Sequence, residues 1–199
     1  LPRINDIAKG DLNLSDLNNI NIFDILQRKI HLNIEDIKNK IKNKSILVTG
    51  SGGSIGSELC RQLIYYEPKK IILVDNNEYS LYKIDNEIKE ILNSKNNITI
   101  HKSYLSDVCD LDNVDEIFKN NLPDIIFHAA AYKHVPLLET NIIQAIKNNV
   151  FGTLNILKLS KKYNSSQFIL ISTDKAVRPK NIMGATKRIS EICTLLNNS

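Results

Sequence analysis

The sequence predicts an α/β fold with a doubly wound parallel sheet, on three observations. From Ser45 onward, short apolar runs alternate with longer amphipathic stretches, the pattern that βαβ units leave in a sequence. A glycine-rich turn stands between the first apolar run and the first amphipathic stretch. Of 7 glycines in 199 residues, Gly50, Gly52, Gly53 and Gly56 fall within seven positions. The length is sufficient to bury a core, and 42% hydrophobic with 24% charged residues is ordinary for a globular chain.

Residues 1–44 alternate polar and apolar positions without a core strand. Ile34, Ile37 and Ile41 fall at helical spacing within His31–Lys44, so this part reads as an N-terminal arm ending in a short helix. Residues 45–199 form the second unit. Its expected strands are Ile46–Thr49, Ile71–Val74, Ile98–His101, Ile125–His128 and Phe168–Ile171, each a short apolar run suited to burial on both faces. Between and after them lie helical stretches near Ser54–Tyr66, Glu78–Asn93, Leu111–Asn120, Asn141–Tyr163 and Ile182–Asn197. Right-handed crossovers then give the strand order 3-2-1-4-5, with a ligand crevice beyond the carboxyl ends of the strands where the order reverses.

Composition excludes several function classes. Lys+Arg 26 against Asp+Glu 22 gives a net charge of +4, and the lysines are scattered, so nucleic acid is not an expected partner. Cys60, Cys109 and Cys193 are an odd, widely spaced set without a CxxC pair, which suits a reducing compartment and offers neither a disulfide framework nor a metal site. His31, His101 and His128 lack metal-ligand spacing and read as structural. No apolar run approaches the roughly 20 residues of a membrane span, and no signal-like segment opens the chain. A cytoplasmic location is expected.

The loop Thr49-Gly50-Ser51-Gly52-Gly53-Ser54-Ile55-Gly56 follows a strand and opens a helix. Its glycines serve a tight turn at Gly50, close backbone approach to a pyrophosphate at Gly52 and Gly53, and close helix–strand packing at Gly56. The N–H groups and partial positive charge of the helix start favour phosphate. No Lys-Ser/Thr pair ends the loop, which disfavours a nucleoside triphosphate site. Asp75 ends the second strand, 19 residues beyond Gly56. An acid there binds a ribose 2′-hydroxyl and repels a 2′-phosphate, so NAD is favoured over NADP. Arg61 on the first helix is the competing attraction for a 2′-phosphate, and its place a turn and a half into the helix suits a surface role.

The spacing Gly50-x-x-Gly53-x-x-Gly56 resembles the TGxxGxxG of short-chain dehydrogenases/reductases. That resemblance implies adenine contacts from Asp107 and Val108, a backbone lying along the dinucleotide at Ala129, Ala130 and Ala131, and a structural role for Asn149. The family carries Ser/Thr after strand five and Tyr-x-x-x-Lys on the next helix. Here Ser172-Thr173-Asp174-Lys175 stands in the first place and Met183-Gly184-Ala185-Thr186-Lys187 in the second. A thioether neither donates nor accepts a proton, so the ordinary alcohol-dehydrogenase mechanism cannot run through position 183. Lys187 can still supply positive charge to the nicotinamide ribose.

A hydroxyl, a carboxyl and an amine in consecutive positions suit an elimination, in which one group takes a proton α to a ketone and another protonates the departing hydroxyl. These residues, with His128-Ala-Ala-Ala-Tyr-Lys-His-Val-Pro136 and Asn148-Asn-Val-Phe-Gly-Thr153, resemble the nucleotide-sugar 4,6-dehydratases of bacterial polysaccharide and glycoprotein biosynthesis, in particular the membrane-associated UDP-N-acetylglucosamine branch. The resemblance covers most of residues 44–197, and Asp24-Ile-Leu-Gln-Arg28 extends it into the arm. It implies NAD-dependent oxidation at C4, Lys175 as the base at C5, Asp174 as the acid at C6 and Thr173 on the C4 oxygen. Either Asp174 or a water relay accepts the C4 hydroxyl proton. Met183 points to retention at C5.

Lys133 and His134 are expected near substrate or cofactor phosphates, and Tyr132 either packs or contacts sugar. The family further implies a UDP-sugar partner, a homo-oligomer, and a longer enzyme reaching the inner membrane through an N-terminal region, with a C-terminal substrate region beyond residue 199. The competing readings are an NAD-dependent nucleotide-sugar epimerase or reductase, and a non-catalytic dinucleotide-binding module.

Overall fold

The computed structural model describes residues 33–95 and 97–197. The Asp24–Arg28 segment and His31 lie outside the described residues. Helix α1 (Ile34–Ile41) precedes a five-stranded sheet of β1 (Ser45–Thr49), β2 (Lys70–Asp75), β3 (Ile100–Leu105), β4 (Ile125–His128) and β5 (Gln167–Leu170). All pairings are parallel, in the expected order β3-β2-β1-β4-β5 of a doubly wound sheet. The compact unit that carries this sheet begins at Ile37.

Alternation along the strands divides the core into two layers. Ile46, Val48, Ile71, Leu73 and Ile125 face one side, against Cys60, Leu63 and Ile64 of α2 (Ser54–Ile64) and Ile84 and Ile88 of α3 (Glu78–Ser94). Leu47, Ile72, Val74 and Ile126 face the other, against Val114, Ile117 and Phe118 of α4 (Leu111–Asn121) and Ile156 and Leu159 further on. Each fully buried side chain of this kind stabilises the fold by roughly 1.5–3 kcal/mol.

Two elements depart from the sequence expectation. Strand β3 runs over Ile100–Leu105 rather than Ile98–His101. Ile98 is 97% exposed, outside the strand, because Asn97 Oδ1 accepts the Thr99 N–H at 2.9 Å and turns the chain there. The strand itself is an edge that carries His101 and Ser103 toward Asp85 of α3, so a search for apolar runs passes over it. The long helix expected at Asn141–Tyr163 is instead three segments, α6 (Ile142–Ile146), a π-helical turn (Lys147–Phe151) and α7 (Gly152–Lys162), with a short α5 (Val135–Thr140) before them. The π turn is the kind of local widening that polar side-chain bonds stabilise.

A buried chain of hydroxyls joins the sheet to these helices. His128, with no exposed surface, has Nδ1 at 2.6 Å from Thr49 Oγ1 and Nε2 at 3.0 Å from Thr153 Oγ1. Thr153 donates to the Asn149 carbonyl at 2.6 Å, so it accepts from the ring; the imidazole is neutral with its proton on Nε2. Ser190 of α8 (Ile182–Asn197) donates to the same carbonyl at 2.7 Å. Burial first, and then the charge of Lys187, push the His128 pKa down to about 3.

The unfolded chain takes up this proton near 6.5 and the folded chain only near 3, so stability falls as pH drops through that window. Urea titrations from pH 7 to 3.5 should show wild type losing about 1.4 kcal/mol more per pH unit than His128→Gln below pH 6. Equal slopes would show that the ring is protonated in the fold.

Candidate active site

The loop after β1 is shaped by backbone contacts. Gly50 has φ +66°, and a Cβ there would lie 2.6 Å from the Ala130 nitrogen. A Cβ on Gly56 would collide with the Gly50 carbonyl, so the first turn of α2 lies directly on the loop. Gly53 caps α2 without a side-chain hydrogen bond, which leaves N–H groups of the first turn for a ligand. Asp75, at the end of β2, accepts the Gly52 N–H at 2.8 Å and the Asn77 N–H at 2.9 Å. One carboxylate thus fixes two loops, and Asp75 also lines the cleft.

That cleft, about 620 Å³, runs from the loop to the far end of β5. Gly50, Gly53, Ser54, Ile55, Gly56, Asp75, Val108 and Ala129–Ala131 line its first part, and Lys133, His134, Thr173, Lys175, Met183 and Lys187 its second. Three expected residues are not on its wall. Gly52 packs against Ser80, Asp107 turns its carboxylate to the Cys109 N–H at 2.8 Å, and Asp174 stands out in solvent with its side chain 87% exposed. Arg61 is held by Glu87 at 2.6 Å and Glu58 at 3.0 Å, away from any 2′-phosphate role.

At the reactive end, the Thr173 hydroxyl donates to Asp174 Oδ1 at 3.0 Å and Lys175 Nζ to the same oxygen at 3.4 Å. The hydroxyl first, and then the ammonium, hold the Asp174 carboxyl below its ordinary range, so it is ionised at neutral pH. Lys187 is buried and donates to the Ile171 carbonyl at 2.6 Å; burial pulls its pKa down to about 8, with Glu191 opposing. Met183 is 5% exposed and packs with Leu138 and Ala145. Position 183 therefore contributes apolar wall and no proton.

Two positioning residues escape a motif reading. Asn149 in the π turn accepts the Tyr132 N–H at 2.8 Å and donates to its carbonyl at 3.0 Å, clamping the backbone just after Ala129–Ala131. Gly184 lets the Lys175 carbonyl rest on α8, where a Cβ would collide. Asn149 was legible as structural, but its partner was not. Tyr132, Asn148 and Ser172 also line the cleft. Among the described residues no group of three metal-binding side chains occurs, and no helix is long and apolar enough to cross a membrane.

Residues 46–199 match the family model described as polysaccharide biosynthesis protein. The chain belongs to this family. A capsular polysaccharide biosynthesis protein, CapD of Staphylococcus aureus, is 42% identical over 193 residues, covering 96% of this chain and 32% of its own length. A UDP-N-acetylglucosamine 4,6-dehydratase (inverting) of Campylobacter jejuni is 34% identical, over 74% of this chain and 42% of its own. The chain thus spans a third to a half of these relatives. Among solved structures, a UDP-glucose 4-epimerase from Bifidobacterium longum in complex with NAD+ and UDP superposes with a TM-score of 0.65 at 25% identity, over 77% of this chain and 49% of that one. The parallel sheet and crevice are those of a Rossmann-like, short-chain-dehydrogenase fold.

The residues of this family member fit NAD on its own geometry: a backbone cradle that a Cβ would fill at Gly50 and Gly56, free N–H groups at α2, and a carboxylate at Asp75. Gly56→Ala should therefore cost about 1–3 kcal/mol of stability and weaken NAD at least about tenfold, read by urea unfolding and calorimetry. Unchanged affinity would place the dinucleotide elsewhere.

Proposed function

We propose that this chain is the NAD-binding and catalytic half of a nucleotide-sugar 4,6-dehydratase acting on a UDP-sugar, UDP-N-acetylglucosamine being the first candidate. The observation that carries this reading is the hydrogen-bonded Thr173-Asp174-Lys175 cluster, whose Thr173 and Lys175 line a cleft with a buried methionine at the tyrosine position. An acid and a base in one segment serve an elimination, whereas the tyrosine route to C4 epimerisation or reduction has no phenol at position 183. The 4,6-dehydratase among the relatives supports this reaction class, and a UDP-glucose 4-epimerase of Rickettsia bellii, 33% identical over 75% of this chain, supports the alternative.

Bound NAD supplies the hydride acceptor at C4 and the hydride donor at C6, with no net consumption. Thr173 donates to the C4 oxygen and orients it. Asp174, ionised at rest, is a base before it is an acid: it accepts the C4 hydroxyl proton and passes it to the departing C6 hydroxyl, which leaves as water. Lys175, after giving up its ammonium proton to solvent, takes the C5 proton that the C4 ketone acidifies and returns it to the same face, which retains C5. The charge of Lys187, next to the cleft, favours the electron-rich oxygens of the cofactor ribose. Lys133 and His134, exposed side chains lining the cleft, are proposed to meet the diphosphate.

The whole enzyme is proposed to be a membrane-anchored homo-oligomer with its catalytic part in the cytoplasm. Ile142, Ile143 and Phe151, exposed apolar side chains on α6 and the π turn, support association.

The test is the full-length protein with NAD and UDP-N-acetylglucosamine, followed by NMR of the sugar ring. A 4-keto-6-deoxy product with a C6 methyl signal is expected; a C4 epimer alone, or net NADH, would overturn the assignment. Asp174→Asn and Lys175→Ala should each lower turnover at least about a hundredfold while NAD affinity by calorimetry changes little. A non-catalytic module would be indifferent to both.

A further inference from the structure

Helix α8 holds the segment after β5 at consecutive points. Lys187 Nζ donates to the Ile171 carbonyl at 2.6 Å, and the Ser172 hydroxyl donates to Glu191 Oε1, also at 2.6 Å. The Lys175 carbonyl then rests on Gly184. Lys187 and Glu191 are four residues apart, one helical turn, so they present neighbouring side chains to the strand end. Glu191 does not line the cleft, but Ser172 does.

The Ser172–Glu191 bond has the character of a strong one. Glu191 Oε2 accepts from Arg188 Nη1 at 3.0 Å, which fixes the carboxylate from its other side. The Ser172 hydroxyl first, and then Arg188, hold the Glu191 carboxyl below its ordinary range, so the bond is charge-assisted at neutral pH. Beyond Ser172, the side chains of Thr173, Asp174 and Lys175 bond to one another, and among the described residues no helix side chain holds them. Their orientation is set by the backbone anchors on either side.

We propose that Glu191 is a positioning residue of the active site, acting through the Ser172 hydroxyl to fix the angle at which Thr173, Asp174 and Lys175 meet the substrate. This rests on the acid–base reading of that segment. Losing the anchor lets the segment swing about Gly184 while Lys187 and the glycine loop stay in place. The expected signature is a fall in turnover without a matching loss of binding.

The experiment compares full-length wild type with Glu191→Ala, Ser172→Ala and the double variant. With NAD and UDP-N-acetylglucosamine, each single variant should lower kcat about tenfold, with KM and the NAD dissociation constant within about threefold. The double variant should be no slower than either single one, because both remove the same interaction. Backbone hydrogen exchange over residues 171–176 should quicken in both single variants, a readout that needs no reaction. Additive losses, an unchanged kcat, or a loss that tracks NAD affinity would overturn the role. If wild type forms no dehydration product, the dehydratase reading fails by itself, and the exchange data still decide the anchor: unchanged exchange refutes it.

Discussion

His128 ends β4 with its ring between the hydroxyls of Thr49 and Thr153, and at that buried bond chain the sheet meets the helices of the reactive side. A cation there would be fully buried and would face the like charge of Lys187, which is why the ring stays neutral. With both nitrogens engaged, β1, β4 and α7 have one relative position. The chain continues through the Asn149 carbonyl to Ser190 of α8, the helix that carries Lys187. Because the Asn149 carbonyl is held from two sides, its side-chain amide is fixed too and clamps Tyr132 at the floor of the cleft. A fully satisfied network of this kind specifies one arrangement, since any slip strands a buried polar group.

The two ends of the cleft are built on opposite principles. At the dinucleotide end the contacts are backbone: Gly50 against Ala130, Gly56 against Gly50, and the open first turn of α2. Few side chains take part, so the same surface would receive NAD whatever reaction followed. The reactive end is made of side chains with divergent environments. Lys187 is buried and its pKa is drawn down, whereas Asp174 is out in solvent and is drawn below its usual range by a hydroxyl and an ammonium. In the proposed reaction that divergence separates a fixed electrostatic group from a proton carrier.

Legibility from sequence follows the same division. Four strands, the order of the sheet and the glycine loop were readable because apolar runs and glycine placement are local consequences of burial and backbone geometry. β3 was misplaced because an edge strand is not buried on both faces, and His101 and Ser103 satisfy it with hydrogen bonds to Asp85. The helix at Asn141–Tyr163 was drawn unbroken because helical periodicity is blind to one extra residue in a turn.

The sequence by itself determined the class of sheet, the dinucleotide loop and the missing phenol at position 183, since each depends on which residue types stand in one short stretch. The tertiary structure decided what long-range contact alone can decide. It set His128 as a neutral strut, engaged Arg61 with Glu87, and turned Asp107 onto its own loop. It also brought Glu191 and Gly184 to the strand end beside Lys175. Those partners are separated along the chain by up to tens of residues, and no local pattern encodes a meeting that the sheet's crossovers create.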